Sequence, residues 1–76
     1  MGERDSVRAV VSAIGARVRR LRRSRGLSQI VLAELAGVHY NTLKRIESGE
    51  ANPSIEVLLK LADTLGVSIV QLIGGK

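Results

Sequence analysis

Asn41, Lys44 and Arg45 recur at intervals of three and four residues, the spacing of side chains that share one face of an α-helix. Asn and Arg can each form two parallel hydrogen bonds to a planar partner, and Lys adds a mobile positive charge. Asn can bond adenine in this way, and Arg or Lys can bond guanine. The stripe indicates a helix face able to read nucleobases, although every amphipathic helix also has a solvated polar face.

A helix over residues 40–48 is predicted to carry this stripe. Leu43 and Ile46 fall on its apolar side at 100° per residue, together with His39 at the N-terminal end. Tyr40 lies on the flank, where its hydroxyl or ring can reach DNA, and it is predicted to contact bases with the stripe. The chain has one His, one Tyr, no Trp and no Phe, so both imidazole and phenol stand at the start of this helix.

Gly37 separates this helix from a short preceding helix that Ser28 caps and that ends at Ala36. The connection leaves little chain in which to turn, so one residue must adopt a positive φ, which Gly does at little cost. Ala33 lies one turn earlier, where a larger side chain would hold the two helices apart. Two short helices joined in this way form a helix-turn-helix.

The remaining pattern predicts an all-α chain with three further helices, over residues 6–25, 55–65 and 69–73. The apolar face of the first helix contains Val7, Val10, Val11, Ile14, Val18 and Leu21. The inward face of the fourth contains Ile55, Leu58, Leu61, Ala62 and Leu65. Each helix is too short to be stable alone in water, so tertiary packing must hold the set together.

Four segments carry a resemblance to a known family: IGARVRRLRRSRGLSQ, LAELAGV, LKRIESGEANPS and LLKLADTLGVS, in this order. With them, the chain resembles the Cro/CI phage-repressor family, the xenobiotic-response-element type of helix-turn-helix. The resemblance implies a five-helix, lambda-repressor-like domain whose third helix lies in the major groove. Its expected divisions are an N-terminal extension of the first helix (1–13), the DNA-binding domain (14–73) and a flexible tail (74–76).

Phosphate contacts are expected from residues around the two short helices. The resemblance implies that Gln29, at the start of the second helix, bonds a phosphate. The full predicted set is Gln29, His39, Thr42, Ser48 and Asn52. His39 occupies a cap position where the family usually has Ser or Thr, and a half-buried ring bonded to local backbone is an equal alternative for it.

Arg22 and Glu47 each border the apolar side of their helix. The family pattern pairs them in a partly buried salt bridge that ties the first helix to the third. Their expected role is therefore structural, like that of Gly37 and Ala33.

Charge is unevenly distributed along the chain, whose net charge is +5. Residues 1–26 hold eight Arg against Glu3 and Asp5, which gives +6, and the rest of the chain gives −1. A basic domain favours a polyanionic partner, here double-stranded DNA, although a solvated arginine-rich helix has the same composition.

Two groups of apolar residues, here called apolar surpluses, exceed what the core requires and predict further contacts. Val7, Val10 and Val11 at one end, and Ile69 and Ile73 at the other, are expected to form a homodimer surface, or else to pack on each other within one chain. On the second helix, Ile30, Val31 and Leu35 are a candidate contact for a partner protein.

Other classes of function have little support. The chain has no Cys and a single His, so neither a metal site nor another cofactor is expected. No nucleophile–base pair or carboxylate dyad indicates an enzyme. No apolar run is long enough for a membrane span and no signal peptide is visible, so a cytoplasmic location is expected.

The sequence therefore predicts a transcriptional regulator, most simply a repressor, that reads a palindromic operator as a dimer. The alternatives are a protein-interaction module on the same scaffold and the DNA-binding fragment of a larger ligand-sensing regulator. RNA binding is disfavoured, because the chain lacks the set of aromatic side chains on which proteins stack the bases of single-stranded RNA.

Overall fold

A computed structural model describes residues 2–74, apart from the side chain of Arg4. This part of the chain contains five α-helices and no strand, which confirms the predicted all-α class. The helices enclose one core within dimensions of 37 × 26 × 20 Å. None of the helices within residues 2–74 combines the length and apolar character required to cross a membrane.

The five helices lie close to their predicted positions: α1 Glu3–Ser24, α2 Gln29–Ala36, α3 Tyr40–Glu47, α4 Ile55–Leu65 and α5 Ile69–Gly74. α1 begins three residues earlier than predicted, and the acidic Glu3 and Asp5 in its first turn favour this start through the helix dipole. α5 includes Gly74, and the rest of the expected tail lies outside the described residues.

The turn between α2 and α3 has the geometry that the sequence indicates. Gly37 ends α2 with φ 69° and ψ 37°, in the left-handed region that residues with a Cβ rarely adopt. The backbone N–H of Val38 then donates to the Ala33 carbonyl at 3.0 Å. At the other end of α2, the Ser28 hydroxyl accepts from the Val31 N–H at 3.1 Å. Both ends of α2 are thus fixed by local hydrogen bonds.

The core lies where α1 packs on α3 and α5, and where α2 packs on α3 and α4. Its fully buried side chains are aliphatic: Val18, Leu32, Leu43, Ile46, Leu61, Leu65 and Leu72. Leu43 and Ile46 hold α3 by one side only, which leaves the opposite side of this helix at the surface.

One assignment to the core is wrong. Ile55, predicted to face inward, is 61% exposed, because it is the first residue of α4 and lies beyond the part of that helix that is packed. On α1, the buried face starts at Val11, while Val7 and Val10 are about half exposed. These three exposed residues nevertheless lie together, since they line one groove with Ile73.

At Gly15, α1 lies in close contact with α3. This residue is buried, and a Cβ added to it would overlap the backbone carbonyl oxygen of Ile46, at the C-terminal end of α3. Since a backbone atom cannot move aside as a flexible side chain can, only Gly permits this contact. The sequence analysis assigned no role to Gly15.

Gly15→Ala is expected to destabilise the fold. A Gly-to-Ala change within a helix normally stabilises it by about 0.5–1 kcal/mol. Here the overlap with the Ile46 carbonyl should reverse the sign and cost about 1–3 kcal/mol, as overpacking does elsewhere. Urea denaturation would measure the loss.

Gly74→Ala is the matched control, since Gly74 also lies in a helix and a Cβ there meets no atom within 4 Å. Equal or greater stability of Gly15→Ala relative to the unsubstituted chain would contradict the expectation.

Candidate nucleic-acid interface

The polar stripe of α3 lies at the surface. Asn41, Lys44 and Arg45 are all exposed, while Leu43 and Ile46 on the opposite side are fully buried. The side chains that are best suited to bonding base edges are therefore presented outward, on a helix that is held from behind.

Tyr40 and Lys44 interact with each other on this surface. The Lys44 ammonium lies 5.2 Å from the centre of the Tyr40 ring, within the range of a cation–π interaction. The Tyr40 side chain is 40% exposed. The contact restricts where the Lys44 side chain can point, so the two residues act as a local unit at the start of α3.

His39 is the N-cap of α3, and its side chain forms no capping hydrogen bond. The residue is exposed rather than half-buried, so the alternative of a ring packed against local backbone is wrong. The free N–H groups in the first turn of α3 and the imidazole are both open to an external acceptor.

The stripe lines a shallow concavity of about 500 Å³. Asn41, Lys44, Arg45 and Ser48 form it together, and Glu50 stands at its edge. Sequence reasoning missed Glu50, whose carboxylate can accept a hydrogen bond from a cytosine amino group but repels phosphate. Its position directly after the turn that ends α3 was the available signal.

A second concavity, of about 390 Å³, adjoins the first because Lys44 and Ser48 line both. Gln29 at the start of α2 lines it, as do Arg19 and Arg23 of α1. The structure thus brings Gln29 next to the stripe of α3, and it adds two arginines to which the sequence analysis gave no DNA-binding role.

The other predicted phosphate contacts are placed less directly. The Ser48 hydroxyl donates to the Arg45 carbonyl at 3.1 Å, so it must break this bond to donate to a phosphate. Thr42 is half-buried and lines neither concavity. Asn52 is exposed but lies elsewhere, beside Arg8 and the N-terminal part of α1.

Arg22 and Glu47 form the buried ion pair that the family pattern implies. The Arg22 Nε donates to one Glu47 carboxylate oxygen at 2.7 Å, and the Arg22 Nη2 donates to the other at 2.9 Å. Each residue is 8% exposed. The hydrogen bond to Glu47 raises the pKa of Arg22 above its ordinary value. The pair fixes α3 against α1 through a bidentate, charge-assisted contact.

Two further hydrogen bonds extend this pair to α2. The Arg22 Nη1 donates to the Leu27 carbonyl at 2.8 Å, and the Gln29 Nε2 donates to Glu47 at 3.0 Å. An amide nitrogen has two hydrogens, so Gln29 keeps one of them for another acceptor. Because Glu47 orients this amide, Gln29 is prepared to donate to a phosphate without losing its structural bond.

This chain is similar to known helix-turn-helix proteins. Residues 18–72 match the helix-turn-helix family HTH_3. An HTH-type transcriptional regulator of Sinorhizobium fredii, y4dJ, is 38% identical over 60 residues, which are 79% of this chain and 78% of that protein. The immunity repressor protein of Bacillus phage phi105 is 34% identical over 61 residues, which are 80% of this chain and 42% of the repressor.

A solved structure is also similar: the restriction-modification controller protein C.AhdI from Aeromonas hydrophila, with a TM-score of 0.81 and 38% identity. The match covers 84% of this chain and 97% of that chain. This chain therefore spans nearly all of one regulator of known structure, but less than half of the phage repressor.

Arg22→Ala is expected to abolish DNA binding by unfolding the domain. The substitution leaves the Glu47 carboxylate buried without its partner, which should cost about 3–5 kcal/mol. Thermal unfolding followed by circular dichroism would measure the loss.

The double variant Arg22→Met/Glu47→Leu is the control, because it removes both charges and fills the space with apolar atoms. It should be more stable than Arg22→Ala. A large drop in DNA affinity of Arg22→Ala at an unchanged Tm would contradict a structural role.

Proposed function

We propose that this chain, which belongs to the helix-turn-helix family HTH_3 of DNA-binding transcriptional regulators, reads a palindromic operator as a homodimer and acts as a repressor in the cytoplasm. In this proposal α3 enters the major groove, where Tyr40, Asn41, Lys44 and Arg45 contact bases. Gln29, His39, Thr42, Ser48 and Asn52 contact phosphates, which position the domain but carry no sequence information.

The exposed stripe of α3 is the observation that carries this proposal. Asn41, Lys44 and Arg45 stand outward together, and the buried Leu43 and Ile46 hold the helix from behind. The amide and the guanidinium can each bond a base edge with two hydrogen bonds. A helix that only needed a solvated surface would not require this combination of side chains around one concavity.

The size of the domain is compatible with paired half-sites. Its longest dimension is 37 Å, and two half-sites of a palindrome lie about 34–36 Å apart, one turn of the duplex. Two copies side by side can therefore present their α3 helices to successive major grooves on one side of the DNA.

The second copy is proposed to pack on the apolar groove at the N-terminal end of α1. Val7 and Val10 line this groove of about 400 Å³, together with Ile55 of α4 and Ile73 of α5. All four side chains are at least 38% exposed in a single copy. Val7, Val10 and Val11 of one apolar surplus thus meet Ile73 of the other, whereas Ile69 packs against the core. Pairing would remove the exposed side chains from water.

Repression is proposed from one relative. The name of the phage phi105 relative identifies that protein as an immunity repressor, and this chain spans 42% of it.

A protein-interaction role has one observation in its favour. On α2, Ile30, Val31 and Leu35 are 54%, 41% and 63% exposed. Neither concavity around α3 includes them, so this apolar surface remains available while α3 is bound to DNA. A partner such as RNA polymerase could therefore dock on α2 in addition to DNA binding, not in place of it.

Asn41→Ala and Arg45→Ala are each expected to relax base preference, by about 1–3 kcal/mol of discrimination at one position. Both side chains are exposed, so the fold should be retained. Selection of bound duplexes from a random pool, with each variant and the unsubstituted chain, would measure the preference.

Lys60→Ala is the matched control, because it removes an exposed charge on α4 that lines neither concavity beside α3. Equal weakening of Asn41→Ala and Arg45→Ala on all DNA sequences would show that these residues contact only phosphates. Failure of the unsubstituted chain to bind any duplex would refute the proposed function.

Val10→Glu is expected to convert the dimer to a monomer, because it places a charge in the groove that the second copy covers. Binding to a single half-site should persist, while binding to the full palindrome weakens. Analytical ultracentrifugation and titration of both duplexes would measure these effects.

Val31→Glu provides the control, since it adds the same charge to a similarly exposed Val on α2. It should leave both pairing and operator binding unchanged. An altered transcript level with pairing and binding intact would support the docking surface on α2, and a monomeric unsubstituted chain on operator DNA would rule out the dimer.

A further inference from the structure

We propose that Arg19 and Arg23 of α1, here named the arginine ridge, form a DNA-backbone site separate from the predicted contacts of α2 and α3. The inference rests on the proposed function, because it extends the same interface. It assigns to α1, otherwise a helix of the core, the task of neutralising phosphates beside the groove that α3 reads.

The arginine ridge lies next to the proposed base-reading surface. Both of its residues line the concavity that also contains Gln29, Lys44 and Ser48. Lys44 and Ser48 continue into the concavity of Asn41 and Arg45. The surface is therefore continuous from the stripe of α3 to the ridge of α1.

Both ridge residues also border a second concavity, which they share with Ala16, Arg20 and Glu47. They thus lie on a convex edge between the two concavities, where their side chains can reach the DNA backbone without rearrangement of neighbouring residues. One turn of α1 separates them, a rise of about 6 Å.

The charge of the ridge is uncompensated. Arg19 and Arg23 are exposed, and the ion pair found within residues 2–74 involves Arg22, not either of them. Glu47 lines both concavities of the ridge, but its carboxylate already accepts two hydrogen bonds from Arg22 and one from Gln29. Glu47 is paired with Arg22, and Arg19, Arg23 and Lys44 around the same concavity form no ion pair among the described residues.

A phosphodiester backbone fits this arrangement better than other anionic partners. The planar guanidinium donates two parallel hydrogen bonds to phosphate oxygens, and the ridge follows a line rather than enclosing a pocket. The same line lies beside the stripe that faces bases, so one duplex can engage both at once. A protein partner would have to compete with DNA for this site.

The buried Arg22 lies between the two ridge residues in the sequence and fixes their direction. Its guanidinium is directed toward Glu47 on α3. At about 100° per residue, Arg19 and Arg23 both lie on one side of that contact, on the same face of α1. The ion pair therefore sets the position of the ridge relative to the recognition helix.

The test is the salt dependence of binding to a duplex of random sequence, for the unsubstituted chain and for Arg19→Gln/Arg23→Gln. Each phosphate contact contributes about 0.9 to the slope of log affinity against log salt. Loss of both contacts should therefore reduce the slope by about 1.8, measured by fluorescence anisotropy from about 50 to about 200 mM salt. Base preference in a selected pool should be unchanged.

Two further variants serve as controls. Arg19→Lys/Arg23→Lys keeps both charges and should keep the slope. Lys60→Gln removes an exposed charge from α4, which borders neither concavity of the ridge, and should leave the slope nearly unchanged. Circular dichroism and the Tm should show all variants folded, since the substituted side chains are exposed.

The outcomes separate the two proposals. An unchanged slope for Arg19→Gln/Arg23→Gln, in a chain that still selects a defined motif, overturns the arginine ridge and leaves the proposed function intact. An equal reduction for Lys60→Gln also overturns it, since the effect is then one of net charge alone. A chain that binds no duplex at all refutes the proposed function itself.

Discussion

The bidentate ion pair between Arg22 and Glu47 determines how the recognition surface is held. It joins α1 to α3 directly, and it reaches α2 through the bond from Gln29 and the Leu27 carbonyl. A buried ion pair of this kind adds little net stability to the fold. If the helices were misaligned, however, each charge would be buried without its partner, which is strongly unfavourable. The pair therefore acts mainly as a constraint on orientation, and the outward stripe of α3 depends on that orientation.

Local signals predicted most of the fold. Gly37 at positive φ, the Ser28 cap and the helical periods are properties of short segments, and the family pattern supplied the ion pair. What remained unpredicted depends on distant parts of the chain. Glycine is required at position 15 because packing brings the Ile46 carbonyl against it. Ile55 is exposed because it lies beyond the part of α4 that packs on the other helices. For the candidate site, sequence selected the stripe of α3 but could not place other helices beside it.

α1 is long enough to contribute residues to several separate surfaces. Its N-terminal part lines the apolar groove, its middle contacts the C-terminal end of α3 at Gly15, and its C-terminal part carries Arg22 and the arginine ridge. A helix of 22 residues spans about 33 Å, so these surfaces lie along one stiff rod. At Gly15 the backbone of α1 lies against the backbone of α3, so the two helices are in direct contact at this position.

Tyr40 gives this chain a built-in optical reporter. It is the single tyrosine, and the chain has no tryptophan, so near-ultraviolet emission arises from one phenol ring at the beginning of α3. The ring is partly open to solvent and has the Lys44 ammonium 5.2 Å from its centre. Quenching or a spectral change on titration therefore reports events at this one location, with no attached dye and no background from the aliphatic interior.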